Sequence, residues 1–298
     1  MTDLVVRKMG FGFDGTVPFL WQPANPEFAI FCNAFTFIAV PFEKYIIAAL
    51  RQAQDRLSTD TAVAEEAEAF LRQEAQHAAA HRKHMLALID QYPGLERCYD
   101  QAVASYDDLI ASHPVEFHAA YIANLEATFT PMFKVILDHR DSLFGGGDTR
   151  VASLMMWHFV EEIEHRSSGL KLYRHLMPDP WYRVKLVRQT FRHTGIIAAT
   201  VAKAFDEHIP LSERGACAQD VMASALQREF RYRMGRRSGP APVFHAVPSA
   251  DLLRMVWRLA LSQMPHHDPA DQPLPAWAGT WMREYDRGTD MTTFVGKG

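Results

Sequence analysis

The chain has 298 residues, of which 48% are hydrophobic and 22% are charged, the balance of a globular protein with a sizeable core. Its net charge of -4 offers no general attraction to nucleic acid or anionic lipid, which argues against both as partners. We find no secretion signal and no window of roughly 18 uncharged apolar residues, so we predict no transmembrane segment. Three scattered cysteines lack metal-ligand spacing and are predicted to be free thiols of a cytoplasmic protein.

Helix-forming residues fill the stretches between prolines and glycines, and almost no segment alternates with period two, which predicts an all-α fold. The apolar segment 28–40 is compatible with a helix or a hairpin. The proline-rich tail from Pro265 onward is expected to lie over the surface. In chain order, helices are predicted over 41–54, with Pro41 at the start, 61–91, with Asp60 as N-cap, 95–110, 112–140, 149–178, with Asp148 as N-cap, 186–205, 212–234 and 249–262.

Two of the long predicted helices contain the pattern Glu-x-x-His. One pair is Glu74 and His77, and the other is Glu162 and His165. Because a helix has 3.6 residues per turn, positions i and i+3 lie on one face, and each pair could hold one metal ion. Either pair alone could arise by chance in a chain with 14 histidines, whereas their joint occurrence favours a metal site.

The two other long predicted helices each place one glutamate among apolar neighbours. These residues are Glu43 and Glu126. Glu43 alone could be a surface carboxylate stabilised by a helix dipole. Burying a lone carboxylate is costly, however, and a pair of metal ions would compensate its charge. The helix order Glu, Glu-x-x-His, Glu, Glu-x-x-His is the ligand set of ferritin-like di-metal bundles.

His158 shares a helix face with the second pair, about 40° from Glu162 and about 20° from His165 around the axis. It could be a further imidazole ligand, or it could contact the ligands without binding metal itself. His81 is predicted to contact the ligands without binding metal itself. Glu161 is predicted either to do the same or to be a direct ligand. Glu164 is predicted to face solvent. The candidate metal ligands are Glu43, Glu74, His77, Glu126, His158, Glu162 and His165.

These motifs predict a ferritin-like four-helix bundle with additional C-terminal helices. We expect a single all-helical domain over 1–298, with a metal-binding four-helix core over 27–178 and a helical extension and tail over 181–298. Carboxylate and imidazole ligands suit iron or manganese better than the thiolate-rich sets of structural zinc, so two iron ions are predicted, with manganese or zinc as alternatives.

The chain also resembles the bacterial family catalogued as predicted metal-dependent hydrolases. The resemblance spans residues 41–165 and is moderately to highly specific as a set. The family favours glycine where this chain has Phe42, a difference that bears on local packing and leaves the ligands unchanged. The shared landmarks are Pro41-Phe42-Glu43, Gln73-Glu74-x-x-His77-x-x-x-His81, Leu125-Glu126-x-x-Phe129-Thr130 and Trp157-His158-x-x-Glu161-Glu162-x-Glu164-His165.

The ligand pattern is similar to that of the p-aminobenzoate N-oxygenase family of di-iron enzymes. That family uses Glu, Glu-x-x-His, Glu and His-x-x-x-Glu-x-x-His, and each element has a counterpart among the seven candidate ligands. The similarity implies two irons with Glu74 and Glu162 as bridging carboxylates. It also implies activation of dioxygen for N-oxygenation or hydroxylation of a small organic substrate.

The leading hypothesis is therefore a non-heme di-iron oxygenase. A buried apolar shell protects reactive oxygen chemistry, whereas a zinc or manganese hydrolase would need neither dioxygen nor a reductant. A ferritin-like iron-handling protein is the third alternative. Because the sequence contains no CxxC, flavin or iron–sulfur motif, electrons would come from an external donor. A homodimer is possible.

Overall fold

The computed structural model describes residues 4–223, 225–236, 240–272 and 274–294, with only the backbone of residues 225 and 226. Over these ranges the fold is all-α and contains no strand. Short 3-10 turns occupy Pro93–Leu95, Pro269–Asp271 and Met291–Thr293. The α-helices are α1 (Pro26–Gln52), α2 (Gln54–Leu57), α3 (Thr61–Gln91), α4 (Glu96–Ser112), α5 (Val115–Asp138), α6 (Arg140–Phe144), α7 (Thr149–Glu164), α8 (Ser168–Leu176), α9 (Pro180–His208), α10 (Leu211–Arg214), α11 (Ala218–Ala223), α12 (Ala225–Arg233), α13 (Ser249–Ser262) and α14 (Ala276–Asp286).

Helix α1 begins well before the position that the sequence predicted. The Asn25 side chain accepts a hydrogen bond from the backbone N–H of Phe28, and Pro26 occupies the first turn, so the helix starts there. The apolar segment 28–40 is therefore helical, and Pro41 lies inside the helix. The prediction that Pro41 starts a helix was wrong, because burial of the flanking apolar residues outweighs the one backbone hydrogen bond that proline removes.

The predicted N-caps of two ligand-bearing helices are confirmed. Asp60 accepts hydrogen bonds from the first backbone N–H groups of α3, and Asp148 does the same for α7. The predicted helix over 149–178 is interrupted, however, after Glu164. The chain turns at residues 165–167 and resumes as α8, which packs against α5. At Gly169 a Cβ atom would lie 3.0 Å from Glu126 Cγ, so the missing side chain allows this close approach.

The C-terminal region differs in two ways from the sequence prediction. The predicted helix over 212–234 is interrupted at Gly215, whose φ of +74° ends α10. The tail beyond Pro265 does not simply cover the surface, because Trp277, Trp281 and Met291 are buried. Large aromatic side chains stabilise a fold most when they are removed from water, and α14 therefore packs into the structure despite the prolines before it.

The four helices that carry the candidate ligands form a ring. Helix α1 packs along α3 and α5 along α7, while α1 also contacts α5 and α3 contacts α7. These contacts are those expected of a four-helix bundle, and the ferritin-like relationship stays a prediction. Helices α9, α13 and α14 pack directly on α5.

The hydrophobic core has two parts, and the candidate ligands lie between them. Along α1 the first part ends at Val40 and the second begins at Phe42. Along α5 the second part ends at Leu125 and the first resumes at Phe133. Glutamates and histidines occupy this boundary, so a buried polar layer crosses an otherwise apolar bundle.

One helix of the described chain, α1, is long and apolar enough to cross a membrane by length and composition. In the structure 72% of its most apolar window is buried among other parts of the protein. Packing within the fold accounts for this apolar character, as it does for the core helix of a globular protein.

Candidate metal centre

Two groups of buried side chains could each hold a metal ion. The first cluster consists of Glu43, His77 and His158, and the second cluster of Glu74, Glu162 and His165. Within each cluster one nitrogen or oxygen atom per residue lies within 4.8 Å of the others. The helix ring thus brings together six of the seven candidate ligands from three different helices.

Glu126, the seventh candidate, lies against the second cluster. Its Oε2 is 3.5 Å from Nε2 of His165, and it reaches the site from α5. Glu43 approaches the first cluster from α1, with its Oε1 3.7 Å from Nδ1 of His158. Each cluster therefore receives one carboxylate from a helix that contributes nothing else, as the sequence order predicts.

Glu162 connects the two clusters through its two oxygens. Its Oε1 is 3.0 Å from Nε2 of His158 and 3.6 Å from Nδ1 of His77, both in the first cluster. Its Oε2 is 3.1 Å from Nε2 of His165 in the second cluster. Glu74 spans them in the same way, with Oε1 3.3 Å from His165 and Oε2 3.9 Å from His77. Each of these two carboxylates therefore has one oxygen near each cluster.

Several atoms of this site are buried without a hydrogen-bond partner among the described residues. Native proteins almost always satisfy buried polar atoms, so a concentration of exceptions in one place calls for a ligand. Acceptor atoms facing one another are what a pair of cations would bind, and the donor set therefore fits two metal ions. The atoms are Oε1 and Oε2 of Glu43, Oε1 of Glu74, Nδ1 of His77, Oε1 of Glu126, Nδ1 of His158, Oε2 of Glu162 and Nε2 of His165.

The protonation equilibria reflect four carboxyl groups in one buried space. Burial raises the pKa of Glu43, Glu74 and Glu126, to about 8 for Glu126, and the negative charge of Glu162 adds to the effect at the latter two. Burial also disfavours the Glu162 anion, but the charge of His165 and the hydrogen bond from His158 outweigh it and lower the pKa of Glu162. Without metal the site thus retains protons, which cations would displace on binding.

His77 of the first cluster is oriented by a carboxylate, which is in turn held by an arginine. His77 Nε2 lies 2.9 Å from Oε2 of Glu161, and Arg7 Nη1 donates to Oε1 of the same carboxylate at 2.9 Å. Because a carboxylate can only accept, Nε2 carries the proton and the Nδ1 lone pair of His77 faces the cluster. The Glu161 side chain thus contacts the ligand histidine His77, and its backbone carbonyl accepts a hydrogen bond from the N–H of His165 at 2.9 Å.

The second cluster has an equivalent support. His165 Nδ1 lies 3.0 Å from Oε1 of Gln73, so that Nδ1 donates and Nε2 is left to face the metal position. The Gln73 amide donates to Glu164 at 2.7 Å, and Arg7 makes two hydrogen bonds to Glu164 at 2.9 and 3.0 Å. The expectation that Glu164 faces solvent was wrong, since its side chain is 13% exposed and held by this network.

His81 lies behind His158, with the two ring centroids 4.8 Å apart. The hydroxyl of Thr36 lies at hydrogen-bond distance from two imidazoles, 2.9 Å from Nδ1 of His81 and 3.1 Å from Nδ1 of His84. Burial and the neighbouring charge of His158 hold the pKa of His81 well below its usual value. The supporting role of His81 stays a prediction.

Sequence reasoning missed Arg7 and gave no role to Gln73. Gln73 precedes Glu74 directly, and its glutamine side chain in a ligand-bearing motif was a signal that could have been used. Nothing in the sequence near Arg7 points to the site, because it lies in an N-terminal segment without regular structure, far along the chain from both carboxylates that it binds.

A cavity of about 190 Å³ adjoins the clusters. Five of the candidate ligands line it, namely Glu43, Glu74, Glu126, His158 and Glu162, and most of the other lining residues are apolar side chains of α1 and α5. Phe191 of α9, which is 39% exposed, also lines the cavity. The site therefore has room for a molecule beside the metal positions.

The family described as predicted metal-dependent hydrolase has a sequence model that matches residues 5–242, well over half of the chain. The chain belongs to this family. The match confirms the resemblance drawn from the motifs, and it includes all seven candidate ligands together with Arg7 and Gln73. No match was found among curated proteins or among solved structures. The family description is of a metal-dependent protein, and the two buried clusters are groups that could hold its metal ions.

Proposed function

We propose that the protein is a non-heme di-iron enzyme that uses dioxygen to oxygenate a small organic substrate by N-oxygenation or hydroxylation. The observation that supports this most directly is that Glu74 and Glu162 span two clusters made only of carboxylates and imidazoles. Such oxygen- and nitrogen-rich sets favour iron or manganese. When bound there, two ferrous ions would supply the reduction of dioxygen, with two electrons returned per turnover by an external donor.

The residues of the chain have separable tasks in this proposal. The first cluster would hold one ion, and the second cluster with Glu126 the other. Glu161 and Gln73 would fix the protonated nitrogen of a ligand histidine in each cluster. The Phe35 ring, with its centroid 5.0 Å from that of His158, would keep water away from the reacting atoms.

A hydrolase with zinc or manganese is the second candidate, and the description of the family favours it. Hydrolases commonly place hydrogen-bond donors where negative charge develops on an oxygen. The two threonines that line the cavity already donate within their own helices, Thr128 to Leu125 O at 2.7 Å and Thr194 to Thr190 O at 3.1 Å. Neither threonine hydroxyl is therefore free for that task, and in a hydrolase the metal ions themselves would stabilise the developing charge. A ferritin-like iron-handling role is the third candidate, and the adjoining cavity argues against it.

The metal content of the purified protein tests the proposal. We expect about two irons per chain by elemental mass spectrometry. Glu74→Ala and His165→Ala should lose metal while keeping wild-type helicity, and Glu68→Ala, whose side chain is 57% exposed, should keep it. Dioxygen consumption with organic product would support oxygenation, and consumption without product would favour iron handling. Two zinc ions under iron-replete conditions would favour hydrolysis, and no metal would contradict the proposal.

A further inference from the structure

The cavity beside the clusters, which we call the α1–α5 cavity, is lined mostly by α1 and α5. Phe191 and Thr194 of α9 and Met222 of α11 also line it. We propose that the α1–α5 cavity binds the substrate, and that this substrate is an uncharged molecule built on one aromatic ring or a hydrocarbon group of similar size. The proposal deepens the proposed function and rests on it for the metal ions, whereas the binding of such a molecule requires no turnover.

The size of the cavity limits the occupant. Its volume is about 190 Å³. An engineered apolar cavity of roughly 150 Å³ stays dry and binds benzene, so the α1–α5 cavity has room for one ring with a short substituent. A molecule with two fused rings and polar groups would fit only if residues that line the cavity moved.

The walls select an uncharged occupant. Apart from the candidate metal ligands and two threonines, the lining side chains are apolar, such as Phe42, Leu125 and Met132, and none of the described residues that line the cavity is a lysine or an arginine. Burying an ionised group without a partner costs several kcal/mol even after partial compensation. An acidic or a cationic substrate would therefore have no counter-charge along the wall.

The two metal ions and their carboxylate ligands would together add no net charge to the cavity. Four carboxylates, those of the two clusters with Glu126, would balance the charge of two divalent ions. Arg7 approaches from behind His77 and does not line the cavity. A substrate would direct its reacting atom toward the candidate metal ligands that line the cavity, such as Glu43 and His158, and place its hydrocarbon part against the apolar side chains.

Three ligands that share one ring test the charge preference. Benzyl alcohol, benzoate and benzylammonium would be titrated into zinc-loaded protein by isothermal calorimetry, since zinc supplies the charge without redox turnover. We expect benzyl alcohol to bind at least about tenfold more tightly than either ion, because an unpaired charge is costly to bury. Tighter binding of benzoate or benzylammonium would overturn the uncharged class.

A pair of alanine variants tests the location. Ala39 lines the cavity on α1, and Ala39→Leu would fill it. Ala48 lies nine residues later, about two and a half turns along, and so on the opposite face of the same helix. We expect Ala39→Leu to weaken benzyl alcohol binding about tenfold or more and Ala48→Leu to leave it within about twofold.

The outcomes separate this inference from the proposed function. Zinc-loaded protein that binds none of the three ligands would overturn the substrate class and leave the metal site standing. Equal loss of binding in the two alanine variants would overturn the location. If the protein holds no metal but the metal-free form binds benzyl alcohol in a way that Ala39→Leu abolishes, the cavity assignment is supported while the proposed function fails.

Discussion

Arg7 and Glu161 form a buried ion pair with 2.9 Å between Nη1 and Oε1, although 154 residues separate them in the chain. The other oxygen of Glu161 accepts from His77, so an arginine near the N-terminus determines how a candidate ligand presents its lone pair. The same guanidinium lies 5.8 Å from the ring centroid of Trp281 and 5.3 Å from that of Tyr285 in α14. The N-terminal segment that carries Arg7 and helix α14 thus meet beside the metal centre.

Removal of Arg7 is predicted to weaken metal binding. In Arg7→Met, Glu161 loses its buried partner and His77 its fixed orientation, and partners of this kind contribute about 10–100-fold to metal affinity. Chelator competition measures the effect, with circular dichroism as a check on folding. Arg72→Met is the matched control, because the Arg72 side chain is 64% exposed and pairs only with Glu68 among the ion pairs described. Unchanged metal affinity in a folded Arg7→Met protein would show that Arg7 contributes to packing and does not support metal binding.

Replacement of two carboxylates that have different contacts is expected to leave different numbers of bound metal ions per chain. Glu162 reaches both clusters, and Glu162→Gln is therefore expected to lower the occupancy of both sites. Glu43 contacts only the first cluster, and Glu43→Gln should leave about one metal ion per chain, since the other site keeps its ligands. Elemental mass spectrometry after dialysis distinguishes them. Equal loss in the two variants would contradict the assignment of Glu162 as the shared residue.

The buried imidazole of His84 is predicted to make the fold sensitive to acid. Burial lowers the pKa of His84 from 6.5 to about 3. Because the folded-state pKa is below the unfolded one, its contribution to stability is present above pH 6.5 and is lost as the pH falls toward 3. The free energy of unfolding should fall by about 2 kcal/mol between roughly pH 7.5 and pH 5 through this group alone.

His84→Gln tests that contribution, since glutamine can still contact the Thr36 hydroxyl but does not titrate. Urea unfolding at the two pH values should show a smaller acid loss in this variant than in the wild type. The exposed residue His266 provides the control variant His266→Gln. An acid loss that is equal in all three proteins would rule out His84 as the source.

The packing of α14 predicts a large difference between two tryptophans. Trp281 is fully buried, and Trp281→Ala should destabilise the fold by about 3–5 kcal/mol, the range for removing a large core aromatic. Trp257 is 64% exposed, and Trp257→Ala should change the free energy of unfolding by less than about 0.5 kcal/mol. Chemical denaturation measures both. Similar small losses would mean that α14 does not stabilise the folded chain.

Much of the site could be predicted from sequence because its ligands repeat at helical spacing. The positions i and i+3 of a helix share a face whatever surrounds them, so Glu74 with His77 and Glu162 with His165 are visible as pairs in the chain. Helix caps are local as well, and Asp60 and Asp148 were placed correctly for that reason. Pro41 misled the prediction, since its effect on a helix depends on the burial of residues around it.

The sequence by itself determined an all-α fold and the set of candidate ligands, which follow from local spacing and residue type, and its resemblance to a known family indicated the family to which the chain belongs. Only the tertiary structure decided which ligand joins which cluster, that Arg7 supports His77 and that an apolar cavity adjoins the site. These depend on contacts between residues far apart in the chain. Such contacts form when helices bury their apolar faces together, and the free energy of that burial belongs to no single segment.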